Sequence, residues 1–335
     1  MAIMLSRRRF LSTLSMAGAA GALRAPAGLA AEGASETTTL RLTRTPAVCV
    51  APQYVAEDLL RAEGFSDIRY VDTASATEST NAIAAGQADL TVDFASAFII
   101  GLDSGQPITV LTGLMAGCVE LVAKESIKTV AGLKGKRVGL RSRGATPHVL
   151  ASIMAAEVGL DPVKDIDWVI DPKLSSSELF VNGKVDAFVS NPPESLNLRT
   201  QRIGHVIVRT AVDRPWSQYF CCMVAGNREY VRKNPAMTKR ALRAILKATD
   251  LCAAEPLLTS QRLVDRRFFP RLDYVLQTLN ENGYDRWREY DPEDTVRFYA
   301  LRLHEVGFIK SNPQKIIADG TDWRFLNELR RELKT

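Results

Sequence analysis

The segment Arg141-Ser142-Arg143-Gly144-Ala145-Thr146-Pro147-His148 concentrates more binding chemistry than any other stretch of this sequence. A strand expected over 137 to 140 ends there, and Pro147 suits the first turn of a helix, whose unpaired N–H groups attract anions. The Ser142 and Thr146 hydroxyls, the backbone at Gly144, His148 and one arginine could hold a carboxylate, a sulfonate or a similar group; the alternative is a capped helix flanked by solvated arginines. Four further segments occupy the same kind of position, between the carboxyl end of a strand and the next element. Gln53 and Tyr54 follow the first strand, and Tyr54 reads equally as a stacking face and as a core contact. Asp93-Phe94-Ala95-Ser96 offers a carboxylate to an amine or hydroxyl, or caps the helix that follows. Met115 ends Gly113-Leu114-Met115, where a small residue admits a ligand to the backbone or makes a plain turn. Asn191-Pro192-Pro193-Glu194 offers an amide, with Glu194 also reading as first-turn helix charge. Trp216 and Tyr219, further on, suit either a lid over a ligand or hinge packing.

Little here suits catalysis. The histidines are His148, His205 and His304, and neither of the last two has a visible partner. Gly-x-Ser-x-Gly, His-Glu-x-x-His and Walker strings are absent, so no catalytic residue, cofactor or metal is expected.

The elements that must position these residues announce themselves by repetition. Residues 84 to 94 and 181 to 191 share one pattern: a helical stretch closing on Gly86 or Gly183, then Asp89 or Asp186 opening a short apolar run. The glycines suit the left-handed turn that ends a helix, and the apolar runs are short enough for strands covered on both faces. Strands and helices alternate around both copies, with strands expected near 40–42, 68–71, 89–92, 108–114, 137–140, 167–170, 185–189 and 205–208. Helices are expected at 52–63, 78–85, 97–102, 147–158, 176–182 and 193–200, and Ser175-Ser176-Ser177-Glu178 begins one with the spacing of a capping box. This is an α/β pattern with mainly parallel sheets in two lobes. Crossings at 119–123 and 220–224 separate a first lobe (38–122) from a second (123–218). The part from 219 to 335 returns to the first lobe and adds helices, including 235–253, 292–306 and a last one capped by Thr321 or Asp322.

Composition narrows the class. Ser6-Arg7-Arg8-Arg9-Phe10-Leu11, an apolar stretch and small residues around Ala27 to Ala31 read as a twin-arginine export signal over 1–31. The formal charge of +5 includes four arginines in that segment, leaving +1 for the rest, so nothing favours nucleic acid or an anionic membrane surface. Cys49, Cys118, Cys221, Cys222 and Cys252 are odd in number and lack metal-ligand spacing; they read as buried free thiols. Cys221 and Cys222 should point to opposite faces of a strand.

The string Leu133-Lys134-Gly135-Lys136-Arg137-Val138-Gly139, preceded by Val130-Ala131-Gly132, together with the paired Gly-x-x-Asp units, resembles the solute-binding proteins of ABC importers. The nitrate, sulfonate, taurine and thiamine-pyrimidine branch is the one it looks like, over about 45 to 255. The resemblance implies a type II periplasmic-binding-protein fold, capture by closure of two lobes, and delivery to an ABC permease and its ATPase. The expectation is therefore a periplasmic, monomeric, non-enzymatic receptor for a small solute, with an anion favoured. An enzyme on the same scaffold, like thiamine-pyrimidine synthases or menaquinone-pathway dehydratases, and a sensor for a signalling partner are the alternatives. Phe220-Cys221-Cys222 is faintly similar to the cysteine-rich stretch of the synthases, but the full cluster is missing.

Overall fold

Both Gly-x-x-Asp units fold as a helix, a left-handed glycine and a buried strand, with Gly86 at φ +69° and Gly183 at φ +70°. The computed structural model describes residues 37–171, 173–192 and 194–333, so the expected export signal lies outside the described residues. The chain runs β1 (Thr39–Arg44), α1 (Ala51–Val55), α2 (Glu57–Ala62), β2 (Asp67–Asp72), α3 (Ala76–Ala84), β3 (Leu90–Phe94), α4 (Ala95–Asp103) and β4 (Ile108–Ala116). It continues with β5 (Glu120–Ala123), β6 (Lys136–Leu140), α5 (Thr146–Glu157), β7 (Ile166–Ile170), α6 (Ser176–Val181), β8 (Ala187–Ser190), α7 (Glu194–Gln201) and β9 (His205–Arg209). After β10 (Phe220–Asn227) come α8 (Arg228–Lys233), α9 (Pro235–Ala254), α10 (Pro256–Asp265), α11 (Leu272–Glu281), α12 (Pro292–Glu305), α13 (Pro313–Gly320) and α14 (Arg324–Glu332).

The strands form two sheets of the same design, ordered β2-β1-β3-β10-β4 and β7-β6-β8-β5-β9. β1 is parallel to β2 and β3, and β6 to β7 and β8. One antiparallel strand is inserted in each, β10 between β3 and β4, and β5 between β8 and β9. Helices flank both, giving the expected α/β class of two mainly parallel sheets.

The repeated aspartates explain the duplication. The Asp89 carboxylate accepts the Arg41 backbone N–H at 2.7 Å and two Arg41 guanidinium nitrogens at 2.5 and 3.2 Å, while the third guanidinium nitrogen donates to the Gly86 carbonyl at 2.6 Å. Asp186 treats Arg137 the same way, accepting its backbone N–H at 3.1 Å and its guanidinium at 2.9 and 3.1 Å, and Arg137 donates to the Gly183 carbonyl at 3.2 Å. In each sheet the helix-ending turn is thereby fastened to the neighbouring parallel strand, β1 or β6.

Several local details differ from the expected pattern. The helix expected over 52–63 is split at Ala56, where ψ of −10° tightens the turn between α1 and α2. The last helix starts at Arg324 after Trp323 rather than on a Thr321 or Asp322 cap, although Asp322 accepts the Arg324 N–H at 3.3 Å. Ser175 and Glu178 do form both bonds of a capping box. The C-terminal helices pack onto the first sheet's layers, α9 against α1 and α2 and α12 against α4, but α12 also meets α5. All five cysteines are buried thiols. No described helix is long and apolar enough to cross a membrane.

Arg137, then Lys124 at 2.7 Å, holds the Asp186 carboxyl far below the usual carboxylate range. Because the folded value lies below the unfolded one of about 3.9, its stabilisation is complete above about pH 5 and fades as pH falls. Asp186→Asn should cost about 2 kcal/mol at pH 7. Its urea midpoint should approach that of wild type as the pH is lowered towards 3.

Candidate functional site

The carboxyl ends of strands from both sheets open onto one cavity of about 640 Å³. From the first sheet come Thr45 to Ala47 after β1, Ala74 to Ala76 after β2, and Asp93 and Phe94 at the end of β3. From the second come Leu140 at the end of β6, Arg141 and Ser142 after it, Ala145, Thr146, Pro147 and Leu150 around the first turns of α5, Ser176, and Val189 to Asn191 at the end of β8. Glu194 and Asn197 of α7, Val119 of the outgoing connection, and Arg271 and Tyr274 complete the lining. The two repeated units thus deliver Asp93 and Asn191 to opposite walls of one space.

Of the residues singled out from the sequence, Asp93, Phe94, Arg141, Ser142, Thr146, Asn191 and Glu194 line this cavity. Asp93 is almost fully buried. Its Oδ1 accepts the Phe94 N–H at 2.9 Å, and its Oδ2 has no hydrogen-bond partner. Burial pushes this carboxyl up to about 7, against the opposing pull of the Phe94 N–H and of the Ser79 and Thr45 hydroxyls. Glu194 is satisfied instead: Ser177 donates to one carboxylate oxygen and Ser190 to the other, the latter at 2.9 Å. Those bonds tie α6 and β8 to α7.

The remaining candidates support the walls or stand apart from them. Gln53 bridges β1 and β3, donating to the Thr43 carbonyl at 2.6 Å and accepting the Val92 N–H at 2.9 Å. Tyr54 accepts the Thr45 N–H at 2.8 Å, donates to the Thr45 carbonyl at 2.9 Å, and stacks on Phe268. Both side chains therefore hold backbone beside the cavity without lining it. His148 Nδ1 accepts the Gly144 N–H at 2.9 Å, and its ring packs edge-on against Trp168 and Phe308. Burial, helped by Arg143, lowers its pKa to about 4, so it is neutral at pH 7. Ser96 and Gly144 line a separate small cavity of about 80 Å³, shared with Thr146. Met115 is buried in β4 opposite Cys222. Trp216 packs edge-on against Phe298 and Tyr219 stacks on it at 4.0 Å, which makes both of them packing at the return crossing.

Arg271 and Tyr274 were not expected, because the sequence beyond 255 offered no chemical motif. Their one local signal is an i, i+3 spacing that puts the guanidinium over the Tyr274 ring at 3.7 Å. What brings them to the cavity is long-range: Tyr274 donates to Asn197 Oδ1 at 2.8 Å, and Arg199 of α7 pairs with Glu281 of α11 at 2.6 Å. The cysteines also gather in a way their spacing hid. The Cys49, Cys118 and Cys222 sulfurs lie within 4.8 Å of one another, from three separate stretches of the chain, and are the one set of metal-capable groups of that kind among the described residues.

The family model described as "NMT1/THI5 like" matches residues 50–257. The chain belongs to the NMT1/THI5-like family. Solved structures share the fold of this NMT1/THI5-like protein at low identity. The periplasmic nitrate-binding protein NrtA from Synechocystis PCC 6803 has a TM-score of 0.76 at 16% identity, over 89% of this chain and 90% of that one. The alkanesulfonate-binding protein SsuA from Xanthomonas axonopodis pv. citri, bound to MOPS, has a TM-score of 0.69 at 17% identity, over 87% and 100%. The aliphatic sulphonate-binding protein SsuA from Escherichia coli has a TM-score of 0.66 at 19% identity, over 84% and 92%. No curated protein sequence matches significantly.

The Asp93 carboxyl gives this NMT1/THI5-like protein a measurable signature. Its folded pKa of about 7 lies above the unfolded value, so ionisation is destabilising, with the full cost above about pH 7 and none below about pH 4. Asp93→Asn should therefore raise the melting temperature of the ligand-free protein by several degrees at pH 8. At pH 4 scanning calorimetry should find the two proteins alike.

Proposed function

We propose that this chain is an exported substrate-binding protein that closes two lobes around a small organic anion and delivers it to an ABC permease and its ATPase. The lobes are residues 38–122 with the return from 219, and residues 123–218. The observation that carries the reading is the cavity, because its walls come from two sheets joined by two connections, the arrangement in which hinge closure buries a ligand. The similar structures, a nitrate-binding protein and two sulfonate-binding proteins, support the ligand class. Export rests on the twin-arginine string at the N-terminus.

Anion binding is assigned to the second wall. Arg141 is exposed there and in no ion pair among the described residues, with Ser142 beside it and the N-terminus of α5 at Thr146. Phe94 and Tyr274 supply aromatic surface, and a volume of this size suits an organic molecule better than a bare nitrate ion. Asn191 is assigned an amide contact, and Asp93 the recognition of a donor group on the ligand. Thermal-shift screening of sulfonates, carboxylates, nitrate and pyrimidines, followed by calorimetry on the best ligand, tests the reading. Arg141→Ala and Asn191→Ala should each weaken binding about tenfold or more. Affinities equal to wild type in both would refute the site.

A further inference from the structure

The stretch that carries the chain out of the first sheet and the strand on which it returns each hold a cysteine, and the two sulfurs touch. Cys118 lies in the outgoing connection and Cys221 at the second position of β10, with Sγ to Sγ at 3.2 Å. The backbone is shaped for this contact. Cys118 has φ of +86°, an uncommon left-handed conformation for a residue with a Cβ, directly after Gly117 at φ +96°. β10 has a bulge between Phe220 and Cys222, beside the Phe220 to Ala116 pair, which takes Cys221 out of the regular alternation expected of adjacent strand residues. Both thiols are buried, yet Cys118 forms part of a small recess with Glu120, Arg209 and Ala211.

We propose that Cys118 and Cys221 are a disulfide-forming pair that staples the outgoing connection to the start of β10, the strand on which the chain re-enters the first sheet. An S–S bond of about 2.05 Å asks for roughly 1 Å of further approach. The oxidant is a low-molecular-weight disulfide. The Cys118 thiolate, facing the recess, attacks one sulfur of the oxidant to form a mixed disulfide and release one thiol. The Cys221 thiolate then attacks the Cys118 sulfur and releases the second. The cysteines lose two protons and two electrons, and the oxidant takes up both. Cys118 is the sulfur that reaches the recess and Cys221 already touches it, so the second attack is intramolecular and needs little rearrangement. Cys49 and Cys222 stay as thiols, as does Cys252 in α9.

The test is a thiol count and peptide map on the full chain, after refolding from denaturant in a glutathione redox buffer, so that access to buried sulfur is not limiting. The five thiols of the reduced protein should fall to three, with the peptides carrying Cys118 and Cys221 joined. The oxidised protein should melt about 5 °C above its reduced form, as expected for closing a loop of about a hundred residues in a chain of this size. Cys252→Ser should keep that shift, whereas Cys118→Ser and Cys221→Ser should each lose it. Five thiols remaining after refolding, a disulfide between any other pair, or a stoichiometric metal ion held by the sulfurs would overturn the proposal. The chemistry is independent of the ligand assignment, so a failure here leaves the binding site untouched, and a failed ligand screen leaves this pair untouched.

Discussion

β3 and β4 do not complete a sheet with each other; the ladder between them is β10, which bonds to both and arrives only after the chain has built the other sheet. The rest of the architecture follows from that requirement. The chain has to leave after β4 and come back, so two connections run side by side. The second sheet is laid down between them, and the strand ends of both sheets are brought to face one space. Non-local ladders of this kind carry a loop-closure cost before their contacts form.

The same constraint separates what could be read in the sequence from what could not. Gly86 and Gly183, the strand ends at Asp93 and Asn191, and the capping box at Ser175 are local features, set by backbone conformation and hydrogen bonds a few residues apart, and they were legible. The rule that strand carboxyl ends face a crevice located the right loops, but it could not say which way a side chain turns. Gln53, Tyr54 and His148 lie in the first turns of the helices after those strands, and their polar atoms go to backbone groups. Arg271 and Tyr274 reach the cavity through the docking of α11 beside α7, a contact between residues about eighty positions apart that no local pattern encodes.

Two acids, Asp93 near the end of β3 and Glu194 at the start of the helix that follows β8, show how differently the walls treat charge. Glu194 has a serine hydroxyl on each oxygen, so its negative charge is already compensated by the fold. Asp93 keeps one oxygen unpaired in a nearly dry position, and a buried polar atom without a partner costs free energy that a complementary group can recover. The first wall thus keeps an unpaired carboxylate oxygen, whereas the second has its carboxylate satisfied and carries Arg141 without an ion pair among the described residues. The Arg41 to Asp89 and Arg137 to Asp186 clamps sit at the other ends of the same strands and carry the shared, duplicated part of the design.

The second sheet, in contrast to the first, is drawn from one uninterrupted stretch, β5 to β9, and its two ends are clasped together. Thr210 N–H donates to the Val119 carbonyl at 2.9 Å, and the Thr210 hydroxyl accepts the Val119 N–H at 2.9 Å. In the language of modular construction, residues 120–209 form a cassette with a single double-stranded seam. Recombination at that seam would exchange one entire wall of the cavity while leaving the other, and its borrowed strand, intact.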